Sequence, residues 1–157
     1  MAFGAMNQET TSGAGFAMKV NKSDQPSDPL GLGRATRVLV VDDEPDSLDM
    51  FELLLKSFGW EVTVAASFGE ALERYEAETI DLVLSDISLP EMDGYSLIKA
   101  LREVAPTRLV AVAVSGLGRR EDVEASLGAG FDAHLTKPFQ LSLFLDTLRE
   151  IAQHRER

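Results

Sequence analysis

No cysteine occurs in the 157 residues, which excludes disulfide bonds, thiolate metal centres and cysteine nucleophiles at once and is consistent with a reducing compartment. No apolar run approaches the roughly 18 residues of a membrane span. Nor do the first thirty residues carry a basic start followed by an apolar run of signal-peptide length. Basic surplus is missing too. The net charge is −11, from 15 basic and 26 acidic residues; three of each fall in residues 1–36, which leaves 12 against 23 in the rest. A surface that acidic repels nucleic-acid phosphates, so proteins or cations are the expected partners. The reading is a soluble cytoplasmic chain with no nucleic-acid partner and no membrane insertion.

What is present suffices for one domain. At 45% hydrophobic, the chain can bury a single core and is too short for two ordinary ones. Residues 1–36 mix Gly, Ser, Thr, Asn and Pro with isolated apolar residues and hold no period of 2 or 3.6. They read as a flexible tail, an interdomain linker or an expression remnant, with the folded domain over 37–157.

From Arg37 onward, short apolar runs alternate with amphipathic stretches. "RVLVV" (37–41), "EVTVAA" (61–66), "DLVLSD" (81–86), "RLVAVAVS" (108–115) and "DAHLT" (132–136) read as strands. Each is followed by a helical pattern. Pro45 opens the first helix and Gly59 stops it, and Ser67 with Glu70 forms a capping-box start for the second. Strict alternation argues for an α/β fold, a parallel sheet covered on both faces. Right-handed crossovers then bring every strand's carboxyl end to one edge, where ligands of such sheets bind.

That edge collects chemistry. "VLVVDDEP" (38–45) runs from a buried strand straight into Asp42, Asp43 and Glu44, and carboxylates crowded there repel unless they lie in solvent or hold a cation. The third strand ends at Asp86, the fourth at Ser115 with Gly116, and Lys137 with Pro138 follows the fifth. Each residue alone has an ordinary reading as a helix-start charge, a cap or a solvated lysine. Their convergence from four distant stretches argues for a site.

"VLVVDDEP", "DLVLSDISLPEMDGY", "AVSG" and "HLTKPF", in this order and at these spacings, resemble the receiver domain of bacterial two-component response regulators over residues 37 to about 152. The resemblance implies a flavodoxin-like, doubly wound, five-stranded parallel sheet in order 2-1-3-4-5 with five helices. It places the phosphoacceptor on Asp86 and the magnesium pair on Asp42 and Asp43. Asp43 and Asp86 are then direct ligands, Asp42 binds through water, and the main-chain carbonyl of Ser88 is a further contact. It also implies Lys137 as the conserved-type lysine, Ser115 as the switch hydroxyl, and a cis bond before Pro138. Mg²⁺ is the implied cofactor, with Mn²⁺ as a substitute. A histidine kinase or phosphotransfer domain is the implied partner, with an output protein or a homodimer meeting the face of the fourth helix, fifth strand and fifth helix. The chain would then be a signalling protein rather than an enzyme.

One position departs from the family. An aromatic residue usually stands three residues before the lysine, and here it is His134, within "GFDAHLTKPF". This stretch resembles receivers of hybrid sensor histidine kinases more than those joined to DNA-binding domains, so a fragment of a hybrid kinase is one expectation, and the aromatic coupling gives way to His134 as a candidate switch residue. On the last helix, Leu141, Leu145, Leu148 and Ala152 form the stripe expected to pack on the sheet, with Leu143 and Phe144 off its centre and partly exposed.

Rival readings fit less well. A flavin carrier of the same fold needs a Ser/Thr/Gly-rich phosphate loop after the first strand, where this chain has carboxylates. A magnesium-dependent phosphatase with an aspartyl-phosphate intermediate calls for a second aspartate two residues after the nucleophile, but the chain reads Asp86-Ile87-Ser88. "GLGR" occurs at 31–34 and 116–119, and neither copy has a dinucleotide-binding context, so both read as turns.

Overall fold

Runs of Val, Leu and Ala too short for helices become five strands: β1 (Arg37–Val41), β2 (Glu61–Ala65), β3 (Leu82–Ser85), β4 (Val110–Ser115) and β5 (Ala133–Thr136). Between and after them lie α1 (Pro45–Ser57), α2 (Phe68–Arg74), α3 (Gly94–Val104), α4 (Arg120–Ala129) and α5 (Leu141–Arg155). The computed structural model describes residues 28–76, 79–106 and 108–155. Every pairing is parallel and the order is β2-β1-β3-β4-β5, the flavodoxin-like arrangement the sequence implied. Chain order reverses between β1 and β3, which opens a crevice at their carboxyl ends.

The pleat sorts side chains to two faces. Val38, Val40, Leu82, Leu84, Val112 and Val114 point toward α1 and α5 and pack with Leu55, Phe144 and Leu148. Leu39, Val41 and Val83 point the other way, against Ala71 of α2 and Leu97 and Leu101 of α3, while Ala111 and Ala113 meet Ile98 and Phe131. Burial on both faces explains why β1, β3 and β4 read as continuous apolar runs rather than alternating ones.

Local signals act much as the sequence reads. Pro45 stands at the start of α1, and Gly59, at φ 84°, takes the left-handed turn that ends it. The Ser67 hydroxyl accepts the Glu70 amide at 3.1 Å. Glu70 returns its carboxylate to the amide of Ala66, at 2.9 Å, rather than to that of Ser67, so the expected box closes one residue early. No helix among the described residues is long and apolar enough to cross a membrane.

Two expectations are corrected. Phe144 is 1% exposed, whereas Leu141, expected in the packed stripe, is 38% exposed; Leu143, at 51%, is exposed as expected. An aromatic chain is the cause. Phe144 lies 6.2 Å from both Trp60 and Phe139, and Phe139 lies 6.4 Å from Phe51, so α5 turns its largest ring toward α1 and leaves its first leucine outside. The packed body also begins before β1. Pro29 and Thr36 are buried, and Leu30 packs on the α1/α5 side; the reading of residues 1–27 as a tail lies outside the described residues.

Candidate functional site

β1 and β3 end side by side, with Val41 paired to Ser85, so the next residues meet. The Asp42 amide donates to the Ala65 carbonyl at 3.1 Å and the Asp86 amide to the Val41 carbonyl at 2.8 Å, which extends the ladder one step and fixes both aspartates. Asp42 is 2% exposed, Asp86 is half-buried and Asp43 is exposed. Carboxylate oxygens of Asp42, Asp43 and Asp86 all lie within 4.8 Å of one another.

Lys137 relieves part of the repulsion. Its Nζ lies 2.8 Å from Asp42 Oδ2 and 3.4 Å from Asp86 Oδ2. Burial works against the ammonium, but its hydrogen bond to Asp42, the charges of Asp42 and Asp86 and the weaker bond to Asp86 outweigh that and raise its pKa above the ordinary lysine value. The other oxygen of Asp42 accepts the Glu44 amide at 3.0 Å, and Asp86 Oδ1 accepts the Ser88 amide at 3.0 Å. Three carboxylates against one ammonium leave the crevice negative, with Asp43 facing solvent. Hard oxygen donors carrying surplus charge fit a divalent cation such as Mg²⁺, which takes one or two carboxylates and keeps waters for the remainder.

The backbone behind Asp86 depends on a glycine that the sequence reading passed over. A Cβ at Gly94 would run into the carbonyl oxygen of Asp86 and lie 2.9 Å from Ile87 Cα. The Gly94 amide donates to the Ile87 carbonyl at 2.7 Å. Its one signal in sequence is the "DG" step at 93–94, where Asp93 caps α3 through the Ser96 amide at 2.8 Å.

Ser115 ends β4, buried, and its Oγ accepts the Leu117 amide at 3.1 Å. The Lys137 amide donates to the Ser115 carbonyl at 2.8 Å, and the Lys137–Pro138 bond is cis. The structure therefore brings Asp42, Asp43, Asp86 and Lys137 into direct contact range, with Ser115 on the adjoining strand end. His134 stands apart from them. Its ring bonds Ser126 on α4 and the Leu117 carbonyl, and Ser126, fully buried at 0% exposure, carried no signal that separates it from an ordinary helix serine.

A family model described as the response regulator receiver domain matches residues 38–149. An uncharacterized 14.6 kDa protein of Leptolyngbya boryana is 44% identical over 102 residues, 64% of this chain and 78% of that one. The sensor histidine kinase RcsC of Salmonella typhimurium is 34% identical over 116 residues, which make up 74% of this chain and 12% of the kinase. For several further curated relatives the chain spans between 12% and 51% of their length. A CheY-like receiver domain protein from Methanospirillum hungatei has TM-score 0.68 at 35% identity, with 77% of this chain and 96% of that one covered. The CheX–CheY–BeF3–Mg complex from Borrelia burgdorferi gives TM-score 0.70 at 26% identity, with 80% and 98% covered.

Proposed function

The chain belongs to the family of response regulator receiver domains, and from that premise we propose that it accepts a phosphoryl group on Asp86 from the phosphohistidine of a histidine kinase or phosphotransfer domain. The observation that carries this is the meeting of Asp86 with Asp42, Asp43 and Lys137 at the reversal point of the sheet.

An Asp86 carboxylate oxygen attacks phosphorus in line. A P–O bond forms as the P–N bond to the donor imidazole breaks, the imidazole leaves with the bonding pair, and the product is an aspartyl phosphate. Lys137, already within 3.4 Å of the nucleophile, offsets charge on the incoming group. The Ser88 amide holds Asp86 Oδ1 and so fixes the carboxylate's orientation. Ser115 accepts the Leu117 amide with a lone pair, which leaves its proton for a phosphoryl oxygen. Asp43, Asp86 and the Ser88 carbonyl, with Asp42 beside them, would hold Mg²⁺, or Mn²⁺ as a substitute, which would supply positive charge to offset that of the incoming phosphoryl group. In this reading the chain works in the cytoplasm, where its donors carry phosphohistidine. It turns over no substrate apart from its own phosphorylation and dephosphorylation, and it stands alone or forms part of a hybrid kinase or larger regulator.

Output leaves through α4, β5 and α5 to a partner protein or a second copy, where Leu127 and Leu143 are about half exposed. Incubation with acetyl phosphate and Mg²⁺, followed by peptide mapping, tests the acceptor: one phosphoryl group is expected on the peptide that contains Asp86. Label surviving in Asp86→Asn overturns the assignment. Hydrogen exchange with a phosphoryl mimic tests the output, and residues 115–150 staying silent would rule out that face.

A further inference from the structure

His134 lies on β5 and turns its ring to α4, with both ring nitrogens engaged. Nδ1 lies 2.7 Å from the Ser126 hydroxyl, and Nε2 lies 2.7 Å from the Leu117 carbonyl. A carbonyl only accepts, so Nε2 carries a proton. Ser126 Oγ also lies 3.1 Å from the Asp122 carbonyl. With a neutral ring, the Ser126 hydroxyl donates a hydrogen bond to Nδ1. With a cationic ring, Nδ1 donates to the Ser126 oxygen, and the hydroxyl donates to the Asp122 main-chain carbonyl. The connection therefore holds in either protonation state.

On its other side, Leu117 donates its amide to Ser115 Oγ at 3.1 Å. One loop residue thus joins the imidazole through its carbonyl and the switch hydroxyl through its amide. The second "GLGR" has a use here. A Cβ at Gly118 would lie 2.6 Å from Thr136 Cγ2 and 2.7 Å from Thr136 Oγ1, so a side chain there would have to displace the Thr136 side chain at the end of β5. Any movement of Ser115 toward a phosphoryl oxygen either breaks its bond to the Leu117 amide or carries the loop with it, and the loop is tied to His134.

We propose that Ser126 and His134 are positioning residues, a polar latch that holds the loop between β4 and α4 in the resting state through Leu117 and so opposes the movement of Ser115 toward the phosphoryl group. The inference rests on Asp86 being the acceptor.

Amide hydrogen exchange at Leu117 in the chain alone, paired with the affinity for beryllofluoride in the presence of Mg²⁺, tests it in the wild type, His134→Phe, Ser126→Ala and His134→Gln. Phenylalanine keeps ring bulk without donors, whereas glutamine keeps a donor for the Leu117 carbonyl. Losing one or two hydrogen bonds from the resting state predicts faster Leu117 exchange and beryllofluoride binding tighter by about two- to tenfold in His134→Phe, with a smaller gain in Ser126→Ala. His134→Gln is expected to restore both readouts toward wild type, with exchange at Leu84 in β3 unchanged throughout as the sign of an intact fold. Unaltered Leu117 exchange in both His134→Phe and Ser126→Ala overturns the latch. Faster exchange without tighter binding overturns its connection to Ser115. Failure of the wild type to bind beryllofluoride overturns the acceptor reading instead, and Leu117 exchange still decides the latch.

Discussion

Acidic residues stand at both ends of the sheet, but they are treated in opposite ways. At the amino ends, Asp81 takes hydrogen bonds from Arg34 at 2.8 and 2.9 Å, from Arg37 side-chain nitrogens at 3.3 Å and from the Arg37 amide at 2.9 Å. Asp132, before β5, is matched in the same way by Arg102 and Arg155, at 2.9 and 3.0 Å, and by the Ala111 amide at 2.8 Å. Two guanidinium groups thus serve each carboxylate. At the carboxyl ends, three carboxylates lie together and one ammonium bonds two of them, Asp42 and Asp86. Balanced charge fastens elements together: Arg34 ties the segment before β1 to β3, and Arg155 ties the end of α5 to the start of β5. Unbalanced charge stores repulsion, a cost in stability that a bound cation would relieve.

The largest effect that separates the two ends is on stability. Asp81→Ala strips a buried carboxylate from two arginines and an amide and is expected to cost about 3 kcal/mol in urea unfolding, while Mg²⁺ affinity stays at the wild-type value. Equal damage to both would break the division.

A pH titration gives the next largest. Burial alone would raise the Asp81 carboxyl, but the Arg34 and Arg37 hydrogen bonds hold it at about 2, below its ordinary 3.8. A depressed folded-state pKa means that its stabilisation is complete above the unfolded value and is lost as pH falls from about 4 to about 2. The loss is of the order of 2 kcal/mol, measured by unfolding across that window, and Asp81→Asn should flatten it.

Smaller, and opposite in sign, is the change at the other edge. Asp43→Asn removes one of three repelling carboxylates and is expected to stabilise the chain without Mg²⁺ by roughly 0.5 kcal/mol, since Asp43 is exposed and the solvent screens it. The same change should weaken Mg²⁺ binding more than Asp42→Asn does, because Asp42 is already bonded to Lys137 at 2.8 Å whereas Asp43 faces solvent. Calorimetric titration reads the difference, and equal losses would contradict these separate roles.

The contrast also marks how far the sequence could be read. Strands buried on both faces announce themselves as unbroken Val, Leu and Ala runs, and Asp42, Asp86 and Ser115 were legible because each follows such a run, Lys137 because it follows the short fifth strand in the same alternation. The clasp at Asp81 was not. An aspartate before a strand looks like any turn residue, and its partner Arg34 lies 47 positions away in a stretch whose composition suggests a tail. His134 stood out by its place before Lys137, but its partner Ser126 was hidden for a related reason: the hydroxyl of a helix serine gains meaning only when folding sets it 2.7 Å from a particular ring. Phe144 and Leu141 exchanged places because the helical period allows either to face inward, and Trp60, Phe139 and Phe51, from other elements, make the choice.

The central claim is that surplus negative charge at the carboxyl ends, and not acidity as such, makes the site. Its most direct test is the rise in melting temperature on adding Mg²⁺ to the wild type, Asp81→Asn and Asp43→Asn. We predict the same rise in the wild type and Asp81→Asn, despite their different starting stabilities, and little or none in Asp43→Asn. A rise of equal size in all three, or its loss in Asp81→Asn with Asp43→Asn unaffected, would contradict it.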